Sequence, residues 1–152
     1  MTTNTMATCQ TIRHHGHWSE PADHVALTYD DRFLRRKVLV TTSGARILVD
    51  LSKTTSLNHG DALELDNGAL VEVLAAQEDL LEIVGGDLRR LAWHIGNRHT
   101  PCQIEAGKLL IQRNHVMQDM LHKLGATVIE VAAPFTPEGG AYGHGRTHGH
   151  SH

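Results

Sequence analysis

His94-Ile95-Gly96-Asn97-Arg98-His99-Thr100-Pro101-Cys102-Gln103-Ile104-Glu105 reads as the corner where a helix gives way to a strand. Upstream, Leu88, Leu91, Ala92 and Ile95 recur at the i, i+3, i+4, i+7 spacing of one helical face, and Asp87 stands where an N-cap belongs. Pro101 disfavours helical backbone at Thr100, and Cys102-Gln103-Ile104-Glu105 then alternates as a strand does. The helix therefore delivers His99 to its own end. His94 lies five residues earlier, roughly 140° around an ideal helix, so the two rings cannot share one ion and a single chain offers one well-placed imidazole here.

Working outward from this corner, residues 80–84 predict a strand, 88–98 the helix, 102–105 a strand and 109–112 a returning strand. Asn114 then caps a second helix with Val116, Met117, Met120, Leu121 and Leu124 on one face; Gly125 ends it, and residues 127–132 form a last strand. The order β-α-β-β-α-β is that of a ferredoxin-like fold, placed with its exit segment at residues 77–143. Before it, short apolar runs such as Val38-Leu39-Val40, Ile47-Leu48-Val49 and Leu70-Val71-Glu72-Val73, punctuated by Ser43-Gly44 and Asp66-Asn67-Gly68, predict a small all-β domain over residues 23–76, of a type that binds peptides or partners. Arg32, Arg35, Arg36 and Lys37 read as a basic loop between two of its strands, either a docking patch for an acidic surface or a solvated turn. Residues 1–22, polar and without apolar periodicity, read as a mobile leader. The expected fold class is thus α+β.

Composition narrows the function. The net charge is −3 and there are two each of Phe, Trp and Tyr, which argues against nucleic-acid binding, where a basic face or stacking rings would be needed. No H-E-x-x-H motif marks a metal-dependent hydrolase. Two cysteines make no disulfide framework, and no apolar run is long enough for a signal peptide or a membrane span, so a reducing cytoplasm is the expected compartment. Histidine is in excess, with thirteen residues, and imidazole is the commonest ligand for divalent transition metals. Four of them, His144, His148, His150 and His152, alternate with Gly, Ser, Thr and Arg in a tail that cannot build a core but can wrap an ion. His14, His15 and His17 form a second, weaker cluster with an incidental, solvated reading beside it. His115 opens the second helix, where the positive helix end disfavours imidazolium. Cys102 is either a soft ligand next to His99 or a buried strand cysteine.

Gly96-Asn97-Arg98-His99 with Pro101 and Gln103-Ile104 resembles the hallmark of the UreE family of urease accessory proteins. Asn114-His115-Val116 with Asp119-Met120-Leu121 and Leu124-Gly125 resembles the family's second helix, and Pro134-Phe135, Pro137-Glu138 and Gly140-Ala141-Tyr142 its exit segment, ahead of a histidine-rich tail. The resemblance is specific from about residue 60 onward and looser before. It implies a non-enzymatic homodimer that carries Ni(II) as cargo through His99, His115 and the tail, against competition from Zn(II) or Cu(II). It also implies delivery through the urease accessory GTPase to the apo-urease complex. Some relatives carry a further histidine where this chain has Gln112-Arg113-Asn114. Nitrogen ligands alone do not choose nickel over zinc or copper. A general metal-storage or buffering protein is therefore the alternative, with a nucleic-acid-binding ferredoxin-like module behind it.

Overall fold

A computed structural model describes residues 6–139, which divide into two compact units between Ala75 and Ala76. The first is a six-stranded sheet of β1 (Ala7–Arg13), β2 (Asp23–Leu27), β3 (Phe33–Val40), β4 (Arg46–Ser56), β5 (Ala62–Leu65) and β6 (Leu70–Ala75). Its spatial order is β2-β6-β5-β1-β4-β3. Alternation sends Ile47, Val49 and Leu51 of β4 and Val71 and Val73 of β6 to one side, where they meet Val25, Leu39 and Leu63 in the core. The hairpins β3–β4 and β5–β6 close on Gly44 and Gly68, whose φ values of 93° and 87° lie where an L side chain is strained.

The stretch expected to be a mobile leader contains β1, which is central. It pairs in parallel with β4 through Ala7↔Ile47, Thr8↔Leu48 and Cys9↔Val49, and antiparallel with β5 from Cys9↔Leu65 to Arg13↔Ala62. The residues that follow are also tied down: the His15 amide donates to Asp61 Oδ1 at 3.0 Å and Trp18 Nε1 to the Gly60 carbonyl at 2.9 Å. Asp61 is buried, and its second oxygen accepts from the Asn58 amide, so this carboxylate holds two segments together. The basic loop is likewise corrected. Arg35, Arg36 and Lys37 lie within β3, and Arg32 is buried, with Nη1 donating to the Leu27 carbonyl at 2.9 Å and its guanidinium over the Tyr29 ring. A carbonyl and an aromatic face compensate the desolvation that a charge run in sequence does not reveal.

The second unit runs β7 (Gln77–Val84), α1 (Leu88–Asn97), β8 (Gln103–Ile104), β9 (Leu109–Gln112), α2 (His115–Lys123) and β10 (Thr127–Pro134). Its sheet order is β10-β7-β9-β8, with every neighbouring pair antiparallel. Leu91 and Ile95 of α1 and Met117 and Leu121 of α2 pack with Leu81, Ile83, Leu109 and Ile111 of the sheet. Both predicted caps are made: Asp87 accepts from the Arg89 amide and Asn114 from the Met117 amide. The strand expected over 102–105 shortens to two residues, leaving Cys102 just outside it. With ten strands and two helices among the described residues, the chain is mostly β. No helix among them is long and apolar enough to cross a membrane.

Candidate metal centre

Both helices of the second unit end in the same hydrogen-bond pattern, filled differently. At the end of α2 the Gly125 amide donates to the His122 carbonyl and the Ala126 amide to that of Leu121, with Gly125 at φ 89°. This is the Schellman motif, whose left-handed position glycine occupies at no steric cost. At the end of α1 the His99 amide donates to the Gly96 carbonyl at 2.9 Å and the Thr100 amide to that of Ile95 at 3.3 Å. Here the left-handed residue is His99 itself, at φ 58°. A non-glycine residue in this conformation costs on the order of 1–2 kcal/mol. In return the turn projects an exposed imidazole from the corner.

His115 is the first residue of α2, 86% exposed, with Nε2 3.3 Å from Asp119 one turn along. A carboxylate beside one ring nitrogen orients the ring, a common arrangement behind metal-binding histidines. The corner and the start of α2 are neighbours: the Thr100 hydroxyl lies 3.7 Å from the Met117 sulfur, joining the residue after His99 to the second after His115. Exposed Val116 and, beyond it, a shallow depression lined by Asp119, Met120, Lys123 and Leu124 continue this surface.

Cys102, three residues from His99, is half-buried. Burial, assisted by the Glu138 carboxylate, pushes its thiol up to about 11. A thiol held neutral is a poor ligand and a poor nucleophile. Iodoacetamide should therefore label Cys102 slowly near neutral pH and progressively faster as pH approaches 11; rapid labelling at neutral pH would contradict this. His14, His15 and His17 are exposed on the segment between β1 and β2. His144, His148, His150 and His152, expected as ligands from the sequence, lie outside the described residues. Among the described residues no three of His, Cys, Asp and Glu converge closely enough to hold a metal ion.

The exit segment escapes any local reading of the sequence. The Thr136 amide donates to Gln103 Oε1 at 2.8 Å and the Glu138 amide to the Cys102 carbonyl at 2.9 Å, beyond a fully buried Phe135. Apart from the hydrophobic signal of Phe135, nothing in residues 134–138 announces contacts to a strand more than thirty residues earlier.

These features define a two-domain protein that presents imidazoles on an open corner rather than in an enclosed cavity. Its sequence is covered in succession by two family models: UreE urease accessory protein, N-terminal domain, over residues 4–76, and UreE urease accessory protein, C-terminal domain, over residues 78–152. The chain is 68% identical to the urease accessory protein UreE of Ruegeria pomeroyi over 144 residues, covering 95% of this chain and 97% of that one. To its namesake in Ruegeria sp. strain TM1040 it is 63% identical over 134 residues, 88% of this chain and 76% of the relative. To that of Rhodobacter capsulatus it is 58% identical over 137 residues, 90% and 87%. The chain belongs to the UreE family of urease accessory proteins.

Proposed function

We propose that this chain is a cytoplasmic nickel metallochaperone, not an enzyme, that serves urease maturation. It works as a homodimer in which the His99 residues of two protomers share one Ni(II). His115 and the tail histidines supply further, exchangeable ligands. The cargo then passes through the urease accessory GTPase to apo-urease. The observation that carries this reading is His99: an exposed imidazole held in a costly left-handed turn where the equivalent position of α2 is glycine. Strain of this kind persists where surrounding structure and function over-determine it. The described residues of one chain gather no three-ligand set, which makes a shared site the simplest way to complete a coordination sphere. Val116, 60% exposed beside His115, adds apolar surface to the same corner, as a dimer contact would require. The element and strand orders of the second unit support reading it as ferredoxin-like, with α1 and α2 on one sheet face and the histidines at their ends.

Glu138 is held at Cys102, and the six residues from there to His144 span at most roughly 20 Å when extended. Zn(II) and Cu(II) compete for the same nitrogen donors. The test is deletion of residues 144–152. Nickel capacity in equilibrium dialysis is expected to fall while sedimentation shows an unchanged dimer and calorimetry retains the tightest binding step. Unchanged stoichiometry would remove the tail from the mechanism, and a monomer in solution would overturn the shared site.

A further inference from the structure

We propose that His14 and His17 form a two-imidazole site for a divalent transition-metal ion, built wholly within the first unit. The inference goes beyond the function proposed above and does not depend on it. Residues 14–17 make a β-turn after β1, closed by the His17 amide donating to the His14 carbonyl at 3.0 Å. Gly16, third in the turn, has φ 86°, while His15 before it is not among the residues at positive φ. That combination is a type II turn, which asks for glycine at its third position. The first and last Cα atoms of such a turn lie within about 7 Å of each other. Both rings are exposed, so rotation about their side-chain bonds can bring one nitrogen of each to about 2.1 Å from a single ion, the distance imidazole keeps from zinc. The helices offer no such pair: His94 and His99 stand roughly 140° apart, and His115 and His122 are separated by about 10.5 Å of axial rise.

The turn is held from both sides. The His15 amide donates to the buried Asp61 carboxylate at 3.0 Å, and Trp18 Nε1 to the Gly60 carbonyl at 2.9 Å. The His15 ring itself lies over Gly60, where a Cβ would run into its Nδ1. His15 is thereby a wedge between the turn and the Gly60 loop, and the outer two histidines are left to face solvent. Among the described residues no third His, Cys, Asp or Glu completes a set with them, so the remaining positions on the ion belong to water. Two neutral imidazoles and water make an open, exchangeable site, tightest for Cu(II) and next for Ni(II) and Zn(II). The frame is what distinguishes this pair from two solvated histidines. Anchors at residues 15 and 18 order the turn before an ion arrives, so binding carries less of the ordering cost.

Residue-resolved NMR of the full chain, titrated with Cu(II) as a paramagnetic probe that broadens nearby amides, tests this. The amides of residues 13–18 should broaden together with those of Gly60 and Asp61, which the turn touches. His14→Ala and His17→Ala change exposed positions and leave the anchors intact. Each should remove this broadening as completely as the double variant does. The local affinity should fall on the order of 10²-fold, because two linked ligands bind about 10²–10⁴ times more tightly than either alone. Gly16→Ala keeps both rings, and its new methyl meets nothing within 4 Å, so it acts through the backbone at φ 86° and should weaken the site several-fold. His24→Ala removes another imidazole of the same unit, one that faces Glu72, and should change nothing at the turn. Broadening that survives either single substitution, or two partial losses that add up in the double variant, would mean independent surface histidines and overturn the site. Parental affinity in Gly16→Ala would overturn the part given to the turn.

Discussion

Removing residues 1–13 is expected to abolish folding of the first unit, although these residues look dispensable in sequence. β1 lies between β5 and β4, so without it the six-stranded sheet separates into β2-β6-β5 and β4-β3. Each fragment would expose a new strand edge and the apolar side chains that Cys9 and its neighbours cover. The lost ladder hydrogen bonds contribute about 0.5–1.5 kcal/mol each, and together with the uncovered core they are of the same order as the whole stability of a small domain, about 5–15 kcal/mol. Far-UV circular dichroism and heteronuclear NMR of the truncated chain should show a second unit with dispersed resonances beside an unfolded first one. A truncated protein with the parental unfolding midpoint and a full set of dispersed resonances would contradict the central placement of β1.

The reason β1 is hard to read lies in a bulge. Pairing with β5 shifts register between Cys9 and Thr11, so Cys9 is buried, Ile12 packs against the same core three positions later, and Gln10 is left exposed. A period of two, the signature by which a strand is recognised, is broken in the middle of a seven-residue element. The strands of β4 and β6 keep their period and were legible for that reason. In the second unit, periodicity and end signals agree: Asp87, Asn114 and Gly125 each take the capping role that their residue types favour. Arg32 reads as solvated in sequence because it stands in a run of charges, and the compensation for its burial comes from a carbonyl five residues away and a neighbouring ring.

The candidate site was legible in part. His99 and His115 stand out in sequence as residue types at helix ends, and helix geometry keeps His94 from joining His99. That Thr100 meets Met117 across seventeen residues, and that Thr136 meets Gln103 across thirty-three, are tertiary facts with no local signature. Nor does sequence report the backbone at His99. Pro101 predicts that the helix stops, but not that the stop places an imidazole in the position that glycine usually takes.

That backbone makes substitution at His99 informative in two directions. His99→Gly should remove the tight nickel step and raise stability together. The glycine relieves a left-handed conformation worth on the order of 1–2 kcal/mol, offset by roughly 0.5–1 kcal/mol of extra freedom in the unfolded chain, for a net gain of roughly 0.5–1 kcal/mol. In a unit of this size that is a rise of roughly 2–8 °C in the thermal midpoint. His99→Ala should lose the tight step equally but gain no stability, because alanine keeps the Cβ that makes the conformation costly. Since the proposed site is shared between protomers, either change removes two ligands from one ion. The expected loss in affinity is therefore far more than tenfold, enough to eliminate the first binding event in calorimetry and to impair urease activation in cells. His115→Ala, which also removes one exposed imidazole per chain, should weaken binding less. A glycine variant that gained stability yet kept the tight step would separate the strained turn from metal binding, and the ligand would then have to be sought elsewhere on the chain.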